Sequence, residues 1–146
     1  MGTEQFVGFE FKLIWFDSDV IELRCSGWNG AFGGTAALYE GTGDLELAAE
    51  KLRGFPQNPS DQRELIFGSF SRNSAGGAVK MRFYCVGGAG HAHVEATFDG
   101  GFEKAGTVES ALLSMPLEAA AIDAFVQELR VMGAKRTGTA RLTGKN

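Results

Sequence analysis

Apolar and polar side chains alternate along most of this chain, and the alternation is cleanest over residues 79–98. Val-Lys-Met-Arg-Phe-Tyr-Cys-Val runs into Gly-Gly-Ala-Gly and then His-Ala-His-Val-Glu-Ala-Thr-Phe. A period of two predicts strands with unlike faces. The glycines between them are turn chemistry, with Gly88 expected to take the positive φ of a tight hairpin. A turn centred on Gly88-Ala89 sets Cys85 opposite Ala92, Phe83 opposite Val94, Met81 opposite Ala96 and Val79 opposite Phe98. On the other side Tyr84 meets His93, Arg82 meets Glu95 and Lys80 meets Thr97. Slipping the register by one residue would mix the faces throughout.

The same pattern organises the rest. Residues 9–16 alternate at first and end apolar on both sides, which predicts a strand whose second half is covered on both faces. Asp17-Ser18-Asp19 is a turn into a second strand over 20–25. Residues 26–34 form a glycine-rich connection carrying Trp28 and Phe32, followed by a strand over 35–40. Strands on both sides of this loop, and the absence of Gly-Lys-Ser/Thr, exclude a phosphate loop. Residues 41–54 predict a helix with Leu45, Ala48, Ala49 and Leu52 on one face, Thr42 or Asp44 as cap and Gly54 as stop. Residues 55–59 read as a rigid polar loop. A strand over 64–70, a loop over 71–77, a turn at 99–101 and a strand over 107–115 follow.

Ser114-Met115-Pro116 is expected to start the second helix. Ile122, Phe125, Val126, Leu129 and Met132 make its apolar face, and Gly133 stops it. That face is expected on the Val79/Met81/Phe83/Cys85 side of the sheet. Together these elements predict an α+β fold: one curved, mostly antiparallel sheet of six to eight strands with two helices, the C-terminal helix packed on one sheet face. Residues 1–133 form a single α+β domain. Residues 134–146 read as a basic polar tail, with an edge strand at Thr139–Thr143 as the alternative.

Composition adjusts this picture at two points. The 146 residues include 21 glycines, about twice the usual ~7% share, grouped in short clusters that favour many tight turns. The net charge is −4, but the four charges after Gly133 (Lys135, Arg136, Arg141 and Lys145) are all positive, which leaves −8 for residues 1–133. Such a surface argues against nucleic acid and suits a basic protein partner. Absence of a basic and apolar leader, of a Ser or Thr at position six and of a long apolar run predicts no signal peptide, no myristoylation and no membrane span. The expected location is the cytoplasm, with Cys25 and Cys85 reduced and buried on apolar strand faces, and a disulfide between them as the alternative if their strands are neighbours.

Little in the chain carries reactive chemistry. His91 and His93 share a strand face about 6.6 Å apart, a spacing at which two imidazoles can chelate one metal if a neighbouring strand supplies a third ligand. Glu95 shares that face but lies too far from His91 to complete the set. Without a third ligand the pair belongs to a solvated polar face, with Tyr84 stacked on His93. There is no Gly-x-Ser-x-Gly elbow, and Cys85 is expected to face the core, away from the histidines. No catalytic residue and no cofactor are therefore assigned. Trp28, Tyr84, His93 and Glu95 are the candidate partner-binding residues, and oligomeric state is left open.

The order of a strand hairpin, a Gly-Trp-Asn-Gly-x-Phe-Gly-Gly loop, a helix ending Leu-Arg-Gly-Phe-Pro, a Phe-Tyr-Cys hairpin and an Ala-Ile-Asp-Ala-Phe-Val-Gln-Glu-Leu helix resembles small bacterial α+β proteins akin to polymorphic-toxin immunity proteins. The resemblance spans residues 6–133. It implies an α+β fold and neutralisation of a toxin by protein binding, and it transfers no catalytic residue. The expected function is a non-enzymatic protein-binding module, immunity-like, that neutralises a basic partner. The alternative is a small metal- or ligand-binding β protein using the His91/His93 face.

Overall fold

The structure is a computed structural model, described over residues 5–71, 76–101 and 109–145. Residues 107 and 108 of the expected strand over 107–115, and 72–75 of the expected loop, lie outside the described residues. The elements run β1 (Gly8–Phe16), β2 (Val20–Trp28), β3 (Gly33–Gly41), α1 (Asp44–Leu52), β4 (Arg63–Gly68), β5 (Ala78–Val86), β6 (His91–Asp99), β7 (Ser110–Pro116), α2 (Ala119–Lys135) and β8 (Thr139–Thr143). The fold is α+β and its strands are antiparallel. They divide into two sheets of four, ordered β3-β2-β1-β8 and β4-β5-β6-β7.

The division has a physical cause in β3, which pairs with β2 and then crosses the second sheet. A Cβ on Gly34 would lie 3.1 Å from Ala111 Cβ and 3.3 Å from Phe98 Cγ. Further along, the Ala37 carbonyl accepts a 2.7 Å bond from the Gly77 amide. At its end the Glu40 carboxyl accepts one from the Gly68 amide. Successive residues of β3 thus meet β7, β6, β5 and β4 in turn, and a strand that crosses others cannot form a ladder with them.

The central hairpin has the register its alternation dictates: Phe83 pairs with Val94, Arg82 with Glu95 and Tyr84 with His93. Its turn spans 87–90, closed by a 3.1 Å bond from the Gly90 amide to the Gly87 carbonyl. Positive φ falls on Gly87 (79°) and Gly90 (72°), not on Gly88 as expected, because Gly88 and Ala89 occupy the middle of a four-residue turn whose left-handed positions are its ends.

Phenylalanines join the layers. Phe9 lies nearly parallel to Phe98 at 6.2 Å, while Phe11 sits edge-on to Phe67 at 4.7 Å and to Phe125 at 5.5 Å. Phe55, expected in a polar loop, is buried and meets Phe83 at 5.9 Å. Helix α2 carries the apolar face read from its periodicity, with Ile122, Phe125, Val126, Leu129 and Met132 all buried. Its chief neighbours, however, are β8 and α1 rather than β5. It begins after Pro116, which closes β7, and it runs past Gly133 to Lys135. Gly133 instead faces α1 so closely that a Cβ there would be 3.2 Å from Leu45 Cβ. The helix ends where Arg136 turns left-handed (φ 54°, ψ 42°).

Residues 139–143 form β8, an edge strand paired with β1, with Ala140 and Leu142 fully buried. The basic segment is therefore not a tail: two apolar residues at alternate positions suffice for an edge strand while Arg141 points outward. The expected cover over the end of β1 is also absent. A bulge between Leu13 and Trp15 breaks the alternation, and Trp15 and Phe16 are each 49% exposed. Cys25 is buried, Cys85 is half-buried, and both are free thiols. Among the described residues no helix is long and apolar enough to cross a membrane.

Candidate functional site

The outer face of the second sheet gathers most of the candidate residues. Four strands in register lay their outward side chains in rows. One row reads Glu64, Arg82, Glu95, Ser114; the next reads Ile66, Lys80, Thr97, Leu112; Tyr84, His93 and Pro116 make a third. The inward residues between them, including Leu65, Met81, Phe83, Val94 and Leu113, are buried, so the outward ones are held on a stiff scaffold.

At the centre is a stack of three side chains. The Arg82 guanidinium lies 4.3 Å above the Tyr84 ring, and Tyr84 stacks on His93 at 5.8 Å with 28° between the planes. Arg82 also reaches Glu95, with Nη2 3.6 Å from Oε1. The ion pair is solvent-exposed and contributes under about 1 kcal/mol. The cation–π contact adds roughly 0.5–1 kcal/mol at such a site. Their effect is to hold a flexible arginine and two rings in one orientation, which lowers the entropy lost when a partner covers them. Ile66 and Leu112, on the edge strands of the same face in the row beyond Arg82, are 53% and 61% exposed.

His91 is exposed where β6 leaves the turn, two residues before His93 and on the same face. Among the described residues no group of three His, Cys, Asp or Glu side chains is placed to hold a metal ion. Cys85 lies on the opposite side of the hairpin from the histidines, its Sγ 3.9 Å from the Asn58 carbonyl. Burial, and then the nearby Asp61 carboxylate, raise its thiol pKa, the direction of an unreactive cysteine.

Trp28 lies elsewhere. It ends β2, opposite Gly8 on β1 and Gly33 on β3, and lines a cleft of about 460 Å³ on the first sheet. Phe6, Glu10, Ser26 and Thr35 also line it. Tyr84, His93 and Glu95 are thus brought together, and Trp28 is not among them. Sequence reasoning placed Arg82 on this face opposite Glu95 without counting it among the partner-binding residues, and it passed over Ile66 and Leu112. The signal was present, since alternation around Leu65/Phe67 and Leu113/Met115 already turns Ile66 and Leu112 outward. The chain matches no family model, no curated protein and no solved structure.

Proposed function

We propose that this protein is a non-enzymatic protein-binding module whose contact face is the outer surface of β4–β7. The observation that carries the reading is the ordered Arg82–Tyr84–His93 stack, on a sheet face that also exposes Ile66 and Leu112. Tyrosine and arginine held in one orientation, on a face that also exposes aliphatic side chains, are the composition in which interface energy concentrates. The patch is the open face of a sheet, which suits a macromolecule better than a small ligand.

The partner fits the basic class. The charged row itself is nearly balanced, because Arg82 and Lys80 oppose Glu64 and Glu95. Attraction of a basic protein therefore comes from the net charge of −4 and acts on approach, while the stack sets the contact. Neutralisation of a basic toxin, as immunity proteins perform it, is one function of this kind.

The test is affinity capture with wild type and a Tyr84→Ala/Arg82→Ala variant from lysate of the protein's own host, followed by identification of what is held. The reading expects a protein of basic isoelectric point, held by wild type, weakened at high salt, and lost from the variant with a cost of at least about 2 kcal/mol. Capture unaffected by the double variant would overturn it. Both side chains are partly exposed, so the variant is expected to lose under about 1 kcal/mol of stability.

A further inference from the structure

The cleft beside Trp28 lies on the other sheet from the proposed contact face and has a different chemistry. Two aromatic side chains border it, and each lies against a glycine of the sheet. A Cβ on Gly33 would fall 2.9 Å from Trp28 Cε3, and one on Gly8 would fall 3.0 Å from Phe6 Cε2. At Gly33 a Cβ would meet both the Gly27 carbonyl and the indole, so glycine lets Trp28 lie down on the strand, whereas at Gly8 glycine is required first by the Leu142 carbonyl, which a Cβ there would strike, with Phe6 beside it. Between the rings the cleft presents Ser26 and Thr35, adjacent across β2 and β3, and Glu10 beside Ser26 on β1. Among the described residues neither hydroxyl makes a hydrogen bond within the protein. The volume of about 460 Å³ is within the range of small-molecule sites, roughly 300–1,000 Å³.

Charge decides the class of ligand. Among the described residues Glu10 is the one formal charge in the lining, and its Oε2 already accepts a 2.8 Å bond from Arg141 Nε. Arg141 is in turn held over the Phe6 ring at 5.0 Å. An anion therefore meets no free cation among the described residues of the lining, and a cation meets a carboxylate whose charge is matched. What is left is a nearly neutral cleft offering hydroxyl groups, a carboxylate that can still accept hydrogen bonds, and two aromatic surfaces. A ligand that presents hydroxyls along its rim and C–H groups on its faces satisfies all of these at once. We propose that this cleft binds a neutral saccharide of one or two rings, with Trp28 and Phe6 contacting its C–H faces and Ser26, Thr35 and Glu10 its hydroxyls.

The test uses maltose, cellobiose, lactose and N,N′-diacetylchitobiose as probes, titrated to about 20 mM into isotopically labelled full-length protein, with benzylamine and benzoate as charged ring controls. The expected result is saturable NMR shifts for at least one sugar at the Trp28 indole N–H and the Gly8, Ser26 and Thr35 amides. Trp28→Ala is expected to abolish them. Thr35→Val, which keeps a β-branched residue in the strand and so leaves the fold intact, is expected to weaken binding roughly 10-fold. Tyr84→Ala is expected to leave it unchanged, so the cleft and the protein-binding face stand or fall separately. No saturable shift with any of the four sugars, tighter binding of benzylamine or benzoate at these residues, or an unchanged affinity in Thr35→Val would each overturn the proposal.

Discussion

Glu40 is a carboxyl group that the fold keeps protonated, and its replacement by glutamine gives a signed prediction. It stands at the end of β3, where that strand meets α1 and the end of β4. One oxygen accepts a hydrogen bond from the Gly68 amide. The carboxyl also hydrogen-bonds the Asp44 side chain, whose Oδ2 accepts from the Gly41 amide at 2.8 Å. The surrounding hollow, of about 140 Å³, is lined by Leu47, Ala48, Leu65, Ile66 and Lys51 besides the two acids. Burial first, and then the hydrogen bond and charge of Asp44, push the Glu40 carboxyl from the ordinary 4.5 up to about 8, against the opposing pull of the Gly68 amide.

A pKa raised in the folded state means that the folded chain holds a proton the unfolded chain has released. Stability from this group is complete below about pH 4.5, falls between about 4.5 and 8, and is flat above that. The full displacement would be worth about 5 kcal/mol at about 1.4 kcal/mol per unit. Glu40 is partly open to solvent, and screening reduces this to roughly 2 kcal/mol. Glutamine keeps the acceptor for Gly68, supplies a permanent donor to Asp44 and cannot ionise. Glu40→Gln is therefore expected to match wild type within about 0.5 kcal/mol at pH 4 and to exceed it by roughly 2 kcal/mol at pH 8.5, read by urea denaturation at both values. A difference between the two proteins that does not change with pH, or a glutamine variant less stable at pH 8.5, would refute the reasoning.

Three further perturbations test other parts of the scaffold. Phe125→Ala removes a fully buried ring that contacts Phe11, and is expected to cost about 3–5 kcal/mol in a denaturant melt. Arg63 grips both oxygens of Asp61 at 2.9 Å and donates to the Lys51 and Arg53 carbonyls at the end of α1, so Arg63→Met is expected to cost about 2–3 kcal/mol at pH 7. Because Arg63 holds the Asp61 carboxyl below its ordinary 3.8, that loss is present above pH 4 and shrinks as acid protonates Asp61, which the same melts at pH 3 would register. Gly133→Leu drives a side chain into Leu45 and Glu46 of α1 and is expected to cost over about 2 kcal/mol, whereas Gly43→Ala, with open space around it, is expected to change stability by under about 0.5 kcal/mol.

Hairpin register and amphipathic helices were legible because each is written in neighbouring residues. Around the β5–β6 turn, alternation, glycine placement and the Arg82–Glu95 pairing all specify the same alignment. The apolar face of α2 was likewise plain from intervals of three and four. What α2 packs against was not, since that depends on β8, whose five residues pair with a strand more than a hundred positions away. The split into two sheets was hidden for a related reason. It depends on where β3 crosses, and the crossing is made by backbone groups and a glycine: the Ala37 carbonyl, the Gly68 and Gly77 amides, and Gly34 against Phe98. These carry no side-chain pattern. The apolar run at the end of β1 misled in the opposite sense, because a bulge cannot be seen in the composition of a strand.

The candidate residues divide along the same line. Tyr84, His93 and Glu95 could be grouped from sequence because they lie on two strands joined by one turn. Trp28 could not be given its neighbours, because Phe6, Glu10 and Thr35 reach it through two separate pairings, β1 with β2 and β2 with β3. The glycines make the same point in physical terms. Alternation marks which face a side chain occupies, but a glycine marks a place where something else must come close, and only the partner strand says what. Gly33 admits the Trp28 ring, while Gly27, two positions from the Cys25 side chain, admits the Phe9 ring, whose nearest atoms would sit 2.7 Å from a Cβ there. One cluster of glycines therefore serves both faces of the first sheet, closing the Phe9–Phe98 contact on the inside and seating the aromatic border of the cleft on the outside. Substitution at Gly27 would act on the core and substitution at Gly33 on the cleft, although the two lie only six positions apart in the chain.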